Sequence, residues 1–455
     1  MKPKLQTGVL SYLRFWARKA LQKHNPVIIG IAGSVGKSST RNAVEAILRD
    51  YFPTKSVGNS ETGIPLGILE MKPENYSKLD WAKMLLKAPQ NLNFLKSTKY
   101  LIAEMGIDEP DAPKNMEYLL TILKPTIAVS LNVSATHSQQ FDKTLQLRSK
   151  QINEEERLQL VIQNIAEEDT KIITQSGAEC GIYNAEDKFI SQIITKKTPT
   201  STKLLSFGEK SSHDISYGSY KVSLKGTSFE LYVKTHEQRI AITLHFPRHI
   251  FPREYREVFA AAILVSLQTG LNLEQIKASL EKNYQPPKSR SSLFAGINQT
   301  TIIDSTYNAS KASITTFLDL VDTLKKETDR KIVFLFGDMR ELGQESQIEH
   351  EAIANKLIGI VDYLYLVGPQ TREFVLPIIQ TNEKHFSEIR WFDSATRAGE
   401  FMQENLPKNA IVLAKGSQNT IFLEEAVKRI LQNKEDAKNL CRQDEFWQKV
   451  KRVGG

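Results

Sequence analysis

The sequence has few cysteines and lacks any long apolar run. Its two cysteines, Cys180 and Cys441, lie far apart and match no metal-ligand spacing. This is typical of a chain in a reducing, cytoplasmic compartment. No run of 18 apolar residues occurs, and the sequence predicts no transmembrane helix. Repeats and low-complexity segments are also missing. With 40% hydrophobic and 25% charged residues over 455 positions, these absences favour a globular chain of two or three domains.

The N-terminus lacks the sustained apolar core and the cleavage site of a signal peptide. Residues 5–24 instead predict a basic amphipathic helix, within an N-terminal segment of residues 1–25. Apolar and basic residues recur at helical spacing: Val9, Leu13, Trp16 and Ala20, with Arg14, Arg18, Lys19 and Lys23. Two interpretations stay open, namely packing against the first domain and peripheral contact with a membrane surface.

The charge is only mildly unbalanced. A net charge of +8 over this length suits anionic ligands but is no signature of nucleic-acid binding. Aromatic and basic residues are not interleaved, and no helicase-like strand motif occurs. A nucleic-acid partner is therefore not predicted.

A phosphate-binding loop is the strongest local signal. The segment "GIAGSVGKSST" follows an apolar stretch and precedes a helical pattern. Gly33 and Gly36 allow close approach of the backbone, Lys37 can reach outer phosphates, and Ser38 offers a hydroxyl for magnesium. The alternative is a Gly/Ser-rich turn between strand and helix.

Apolar strands alternate with helical patterns in both halves of the chain, which predicts an α/β fold. We expect a central P-loop ATPase domain with a mostly parallel sheet over residues 26–286. The alternating pattern of residues 204–245 predicts antiparallel strands added to that domain. The segment "PPKSR" reads as a hinge. A doubly wound, dinucleotide-fold-like domain is expected over residues 287–455.

The loop spacing departs from the standard P-loop and resembles that of the Mur ligases, most of all the branch that adds D-alanyl-D-alanine. Further segments are similar to this family in the same order along the chain. The motifs are "GSVGKSST", "GNSETGIPLGIL", "LIAEMG", "NVSATH", "YNAED", "PPKSR", "IIDSTYNAS", "FGDMRELGQES" and "AKGSQNTIFLEEAV".

The resemblance implies an ATP-dependent ligase that joins a carboxylate to an amine through an acyl phosphate, with Mg²⁺. It implies Lys37, Glu104 and His137 as catalytic residues, and Ser38, Glu104 and His137 as metal ligands. Substrate contacts would be Tyr307, Lys415 and Ser417. The implied ATP contacts are Gly33, Ser34, Val35, Gly36, Lys37, Ser38, Ser39, Arg290, Asp304 and Asn308. Because parallel strands end at one sheet edge, we expect Glu104 and His137 to point towards Lys37.

Several positions depart from the family pattern. About 29 residues precede the loop, too few for the family's N-terminal UDP-binding domain. The family's carbamylated lysine has no clear match, although Lys150 is near and Glu156 could supply a carboxylate. Ser305 occupies the position where the family usually has a ribose-contacting aspartate. Glu257 occupies a position near the one where the family's adenine contact is expected.

Three functional interpretations follow. The first is a ligase that adds D-Ala-D-Ala or a related amine to a peptide or sugar-peptide acceptor of the cell wall. The second is a related ligase with a lipid-linked, polyglutamate or cyanophycin-like acceptor. The third is a non-catalytic ATP-binding partner subunit. The lysine-rich segment 72–99, with Trp81, Met84, Leu85 and Leu86 as an apolar surface, favours a lipid-linked acceptor or a partner protein, unless it simply packs on the sheet.

Overall fold

The structure is a computed structural model that describes residues 3–73, 77–134, 140–141, 153–235, 238–247, 249–340, 342–417 and 420–454. The chain forms two compact units. The first comprises Met1–Ser219, Glu230–Leu244 and Tyr255–Gln285. The second comprises Tyr220–Phe229, His245–Glu254 and Pro286–Gly455.

The first sheet has the strand order β2-β3-β1-β4-β5-β6-β7-β8-β9. Its strands are β1 (Val27–Ala32), β2 (Thr54–Val57), β3 (Tyr100–Glu104), β4 (Ile127–Ser130), β5 (Cys180–Asn184), β6 (Lys203–Gly208), β7 (Ile215–Ser223), β8 (Gly226–Lys234) and β9 (Arg239–Pro247). Strand β1 pairs in parallel with both β3 and β4, and the parallel pairing continues from β4 to β7. A two-residue turn joins β7 to β8, as only antiparallel neighbours allow.

Helices of the first unit connect and cover these strands. They are α1 (Pro3–His24), α2 (Lys37–Leu48), α3 (Gly63–Ile68), α4 (Lys78–Lys87), α5 (Met116–Ile122), α6 (Glu154–Asp169), α7 (Lys171–Thr174), α8 (Lys188–Lys197), α9 (Tyr255–Leu267) and α10 (Leu273–Asn283). No helix in the described ranges is both long and apolar enough to cross a bilayer.

Helix α1 packs one face on the first unit. Leu13, Ala17 and Ala20 are fully buried and share a core cluster with Ile64 and Leu101. Burying such a stripe is the usual way an amphipathic helix is fixed to its domain. The structure thus supports the interpretation that the apolar stripe of α1 packs against the first unit.

The second unit contains a sheet with the order β10-β11-β15-β12-β13-β14. Strand β10 is antiparallel to β11, and the other pairs are parallel. The strands are β10 (Ser292–Ala295), β11 (Thr301–Ser305), β12 (Ile332–Gly337), β13 (Tyr363–Val367), β14 (Glu388–Phe392) and β15 (Ile411–Lys415). The helices are α11 (Lys311–Glu327), α12 (Ser346–Leu357), α13 (Leu376–Gln380), α14 (Ala395–Asn405), α15 (Glu424–Ile430) and α16 (Glu445–Gly454). The predicted α/β architecture with mostly parallel sheets is confirmed.

Each unit holds one buried thiol. Cys180 begins β5 in the first unit, and Cys441 follows α15 in the second. Both are free and 5% exposed. Burial raises the pKa of the Cys180 thiol to about 11 and that of Cys441 to about 12.

A buried histidine supports the segment after β12. The His350 ring is fully buried, and its Nε2 accepts the Met339 N–H at 3.0 Å. Its Nδ1 lies 2.7 Å from the Ser346 carbonyl oxygen, so the neutral tautomer carries its proton there. Burial lowers the pKa of His350.

Because of His350, we expect the stability of the second unit to fall at acidic pH. As the pH falls below about 6.5, the unfolded chain takes up the proton before the folded chain does, so the free energy of unfolding falls, by at most about 1.4 kcal/mol per pH unit. Denaturant unfolding between pH 8 and pH 5, a range of about three units around that pKa, measures this slope. His350→Gln should lose this part of the pH dependence, whereas the exposed control His385→Gln should keep it. An unchanged slope in His350→Gln would contradict the assignment.

Candidate functional site

The loop between β1 and α2 has a backbone that requires glycine. Gly33 and Gly36 have φ angles of +137° and +92°, a region that favours glycine. A Cβ atom on Gly33 would lie 3.0 Å from the Leu131 Cβ and 3.2 Å from the Asn132 amide nitrogen. The glycines at these positions therefore set both the loop conformation and its close contact with the chain after β4.

Lys37 begins α2 and folds back over the loop. Its ammonium donates to the Gly33 carbonyl and, at 3.3 Å, to the Ser34 carbonyl. Gly36 caps the helix and has no side chain to bond the first-turn amides of residues 37–39. Such amides at the N-terminus of a 12-residue helix favour anions. The amide set and the lysine thus converge on a site suited to phosphate.

Two predicted contacts in the loop are already engaged within the protein. The Ser34 amide donates to the Asn132 carbonyl at 2.7 Å, and the Val35 amide donates to the Asn132 side chain at 2.9 Å. The Asn132 amide group in turn lies 3.4 Å from a carboxylate oxygen of Glu257. Ser39 is 3% exposed. The amides of residues 36–39 are therefore better placed for phosphate than those of Ser34 and Val35.

Glu104 lies beside the loop, as the strand order requires. Strand β3 neighbours β1, and the Ser38 hydroxyl donates to Glu104 Oε2 at 3.0 Å. Glu104 is only 3% exposed, and its other oxygen is ion-paired with Arg41 at 2.6 Å. A hydroxyl and a carboxylate are hard oxygen donors that suit Mg²⁺. The described residues present no group of three or more His, Cys, Asp or Glu side chains that could hold a metal by themselves.

Two predicted residues near the second metal lie outside the described residues, namely His137 and Lys150. The chain leading to them is held against the loop, because the Ser134 amide donates to the Ser34 hydroxyl at 3.0 Å. Glu156 lies in the first turn of α6, where its side chain is exposed. The roles of His137, Lys150 and Glu156 remain predictions.

Asp169, which the sequence did not single out, lies at the loop. It ends α6, is 2% exposed, and lines a cavity together with Gly33 and Lys37. Burial raises the pKa of Asp169 to about 7, against the opposing effect of the Lys37 ammonium. No motif marks this aspartate, since only packing brings the end of α6 to the loop.

In the second unit, predicted residues gather where β11 and β15 end. The Arg290 guanidinium lies over the Tyr307 ring, 4.7 Å from its centroid. Lys415 is 5% exposed and donates to the Asn308 carbonyl at 3.1 Å. Burial, with the nearby Arg290 charge, lowers the pKa of Lys415 to about 7. The Ser417 hydroxyl donates to the Ala309 carbonyl at 3.2 Å and accepts from the Arg340 amide.

Asp304 is directed into the unit. It is fully buried and accepts hydrogen bonds from the Ser289 hydroxyl at 2.6 Å and the Thr306 hydroxyl at 2.7 Å. Burial raises the pKa of Asp304. Tyr307, by contrast, is 37% exposed. Asp304 therefore shapes the turn that presents Tyr307, and its predicted contact with ATP stays a prediction.

A buried ionic network stabilises the same turn. Arg442 donates to the Thr306 and Tyr307 carbonyls at 2.8 and 3.0 Å. Its guanidinium also pairs with Glu424 at 2.6 Å, and Lys451 pairs with the same carboxylate at 2.8 Å. Glu424 is fully buried. Glu424 thus neutralises the guanidinium that holds the turn, and Lys451 bridges Glu424 to Glu425 at 2.6 Å.

Comparison with known proteins places the chain in a family. A family model described as the Mur ligase middle domain matches residues 31–150. A second, described as Mur ligase, glutamate ligase domain, matches residues 289–418. Together they match more than half of the chain.

Two curated relatives carry the same name. The UDP-N-acetylmuramoyl-tripeptide–D-alanyl-D-alanine ligase of Buchnera aphidicola is 26% identical, over 84% of this chain and 70% of its own length. The ligase of the same name from Bacillus subtilis is 24% identical, over 94% of this chain and 81% of its own.

Solved structures share the fold. MurF from Acinetobacter baumannii superposes with a TM-score of 0.70 at 20% identity, covering 93% of this chain and 81% of that one. MurF from Thermotoga maritima in complex with ADP superposes with a TM-score of 0.69 at 19% identity, covering 94% of this chain and 84% of that one. The resemblance predicted from the motifs is confirmed, and the chain belongs to the Mur ligase family.

Proposed function

We propose that this protein is a cytoplasmic, ATP-dependent ligase that adds D-Ala-D-Ala or a related amine to a cell-wall peptide precursor through an acyl phosphate. The observation that carries the proposal is the phosphate loop with Lys37, Ser38 and Glu104 assembled beside it. It occurs in a chain whose curated relatives are named for that addition. The ADP complex of a structural neighbour supports ATP as the nucleotide.

The first unit supplies what phosphoryl transfer needs. The reaction requires positioning and charge neutralisation rather than a protein nucleophile. The loop amides and Lys37 bind the phosphates, and Ser38 with Glu104 would hold Mg²⁺. When bound, Mg²⁺ supplies charge neutralisation at the transferring phosphate. Arg41 pairs with the same carboxylate at 2.6 Å and orients it.

The second unit supplies a candidate substrate surface. Tyr307 is exposed, Arg290 lies over its ring, and Lys415 and Ser417 lie close to the same turn. Because burial lowers the pKa of Lys415 to about 7, binding a phosphate or carboxylate beside it would favour its charged form. We assign Tyr307, Lys415 and Ser417 to substrate contact on this basis.

The test uses the purified full chain with ATP, Mg²⁺ and a panel of acceptors and amines. The acceptors are UDP-linked, lipid-linked and free peptides, and the amines are D-Ala-D-Ala, D-alanine and L-glutamate. Phosphate release and product mass are measured together. Product formation with D-Ala-D-Ala supports the proposal, and product only with another amine reassigns the substrate. Tight ATP binding without any product favours a non-catalytic partner subunit instead.

A substitution of Glu104 tests the proposed metal role. Glu104→Gln removes the charge but keeps an oxygen near Ser38, so we expect activity to fall about 10–100-fold at limiting Mg²⁺, with a raised Mg²⁺ requirement. Calorimetry of ADP binding with and without Mg²⁺ gives a second readout, in which the variant should lose most of the metal-dependent gain. The control Glu109→Gln removes a partly exposed carboxylate of the same segment. An unchanged Mg²⁺ requirement in Glu104→Gln would refute the role.

A further inference from the structure

Large apolar side chains protrude from the outer side of α1 and α4. Phe15 is 52% exposed, Tyr12 38% and Leu86 74%. The two helices are joined at this point, because the Tyr12 hydroxyl donates to the Leu85 carbonyl at 3.1 Å. Phe15 packs edge-on against Trp16, with ring centroids 5.1 Å apart. We call Tyr12, Phe15 and Leu86, with the basic residues around them, the outer face.

The outer face is held firmly by the opposite sides of the same helices. Leu13 and Ala17 are fully buried on α1, and Met84 is 5% exposed on α4. Met84 is therefore part of the core, which corrects the expectation that it contributes to an apolar surface. Trp81 and Leu85 are partly buried against the same core cluster. Of the four residues expected there, only Leu86 projects fully outwards.

The exposed charge of the two segments that form the outer face has one sign. Among described residues 7–24 and 77–99, the single acidic residue is Asp80, which is 7% exposed. Basic side chains are exposed throughout both segments. They are Arg18, Lys19, Lys23, Lys83, Lys87, Lys96 and Lys99. Lys19 also lies 5.8 Å from the centre of the Phe15 ring, so cation and aromatic ring are presented together.

We propose that the outer face docks on the surface of an anionic lipid bilayer. Protruding aromatic and leucine side chains can enter the boundary between headgroups and acyl chains, while lysines around them meet anionic headgroups. Lysine and tyrosine suit this boundary because each has an apolar body and a polar end. Helix α1 lies on the surface in this arrangement and does not cross it.

The observations favour a bilayer over other polyanions. Nucleic acid is bound mainly by basic side chains that follow the phosphates, and it gives a protruding leucine no apolar environment. On the outer face, by contrast, the most exposed apolar side chains, Leu86 and Phe15, lie among basic residues that can reach headgroups. This inference does not depend on the proposed ligase activity, because it concerns a surface and not the phosphate loop.

The test is sedimentation of the full chain with vesicles, without nucleotide. Vesicles of phosphatidylcholine with about 30 mol % phosphatidylglycerol should bind the protein, pure phosphatidylcholine should bind it weakly, and ~1 M salt should reduce binding. The double variant Phe15→Ser, Leu86→Ser should bind at least ~10-fold more weakly. The triple variant Lys19→Glu, Lys83→Glu, Lys87→Glu should lose the preference for anionic vesicles.

Matched controls keep the test decisive. Leu158→Ser with Leu160→Ser removes apolar side chains that are 41% and 38% exposed elsewhere, and should bind as the parent does. Circular dichroism and ATP binding check that each variant is folded. Equal binding to anionic and neutral vesicles, or full binding by the Phe15 and Leu86 variant, overturns the proposal. Binding to a homopolymer RNA without vesicle binding also overturns it.

Discussion

Replacing Lys37 with alanine is expected to reduce ATP-dependent product formation at least ~10²–10³-fold. The Lys37 ammonium is held by loop carbonyls at the N-terminus of α2, where it can neutralise phosphate charge during transfer. The side chain is half-buried and lies outside the apolar core, so the free energy of unfolding should change by less than about 1 kcal/mol. Steady-state phosphate release with the acceptor and amine, together with denaturant unfolding, measures both quantities.

A matched lysine separates the role of Lys37 from a general effect of charge. Lys196 is exposed on α8, and Lys196→Ala removes the same side chain away from the loop. The control should retain parental turnover. Normal turnover by Lys37→Ala would remove the phosphate role assigned to this lysine. A folded Lys37→Ala variant that is inactive but still binds nucleotide would confine the role to the transfer step.

Replacing Glu424 with alanine is expected to destabilise the second unit by about 3–5 kcal/mol. The carboxylate is fully buried and pairs with both Arg442 and Lys451, so its removal leaves the buried Arg442 guanidinium without its carboxylate, whereas Lys451 keeps Glu425 at 2.6 Å. Since Arg442 also bonds the Thr306 and Tyr307 carbonyls, the turn that presents Tyr307 should loosen as well. Chemical unfolding measures the first effect, and the KM for substrate under stabilising conditions measures the second.

Helix α15 provides its own control for this prediction. Arg429 pairs with Glu400 at 3.1 Å, but these side chains are 38% and 55% exposed. Arg429→Ala should therefore cost less than about 1 kcal/mol, because solvent screens an exposed pair. Equal destabilisation by Glu424→Ala and Arg429→Ala would show that burial does not govern the network.

The first site was largely predictable because its parts are local in sequence or fixed by strand order. Gly33, Gly36, Lys37 and Ser38 are consecutive or nearly so, and parallel pairing of β1 with β3 brings Glu104 to them. Apolar periodicity was enough for those strands, because both faces of a parallel sheet are buried. Fold class and the position of the loop therefore followed from pattern, whereas Glu104 came from the family resemblance and phosphate binding stays a prediction.

Other features depend on packing that leaves no mark in a single sequence. Arg41 pairs with Glu104 only because α2 places it one turn after Ser38. Asp169 reaches the loop through the docking of α6. The inward direction of Asp304 follows from hydrogen bonds to Ser289 and Thr306, which the motif does not specify.

The antiparallel segment shows the same limit in the fold. Alternation predicted its strands but not the partners of its side chains. Val222 and Ile250 themselves belong to the second unit and share a core cluster there with Ile303 and Phe317, so the expectation that residues 204–245 are wholly part of the central domain is not met. Period-two alternation identifies which side of a strand is apolar, whereas the surface that covers it is set by tertiary packing.

The two buried thiols allow the local opening of each unit to be measured separately. Because burial raises the pKa of Cys180 to about 11 and of Cys441 to about 12, neither is a reactive thiolate at neutral pH while its unit is closed. Each thiol can therefore be alkylated only when its unit opens locally, so the alkylation rate measures how often that opening occurs. With one cysteine in each unit, peptide mass spectrometry can assign an opening event to one unit without any added label.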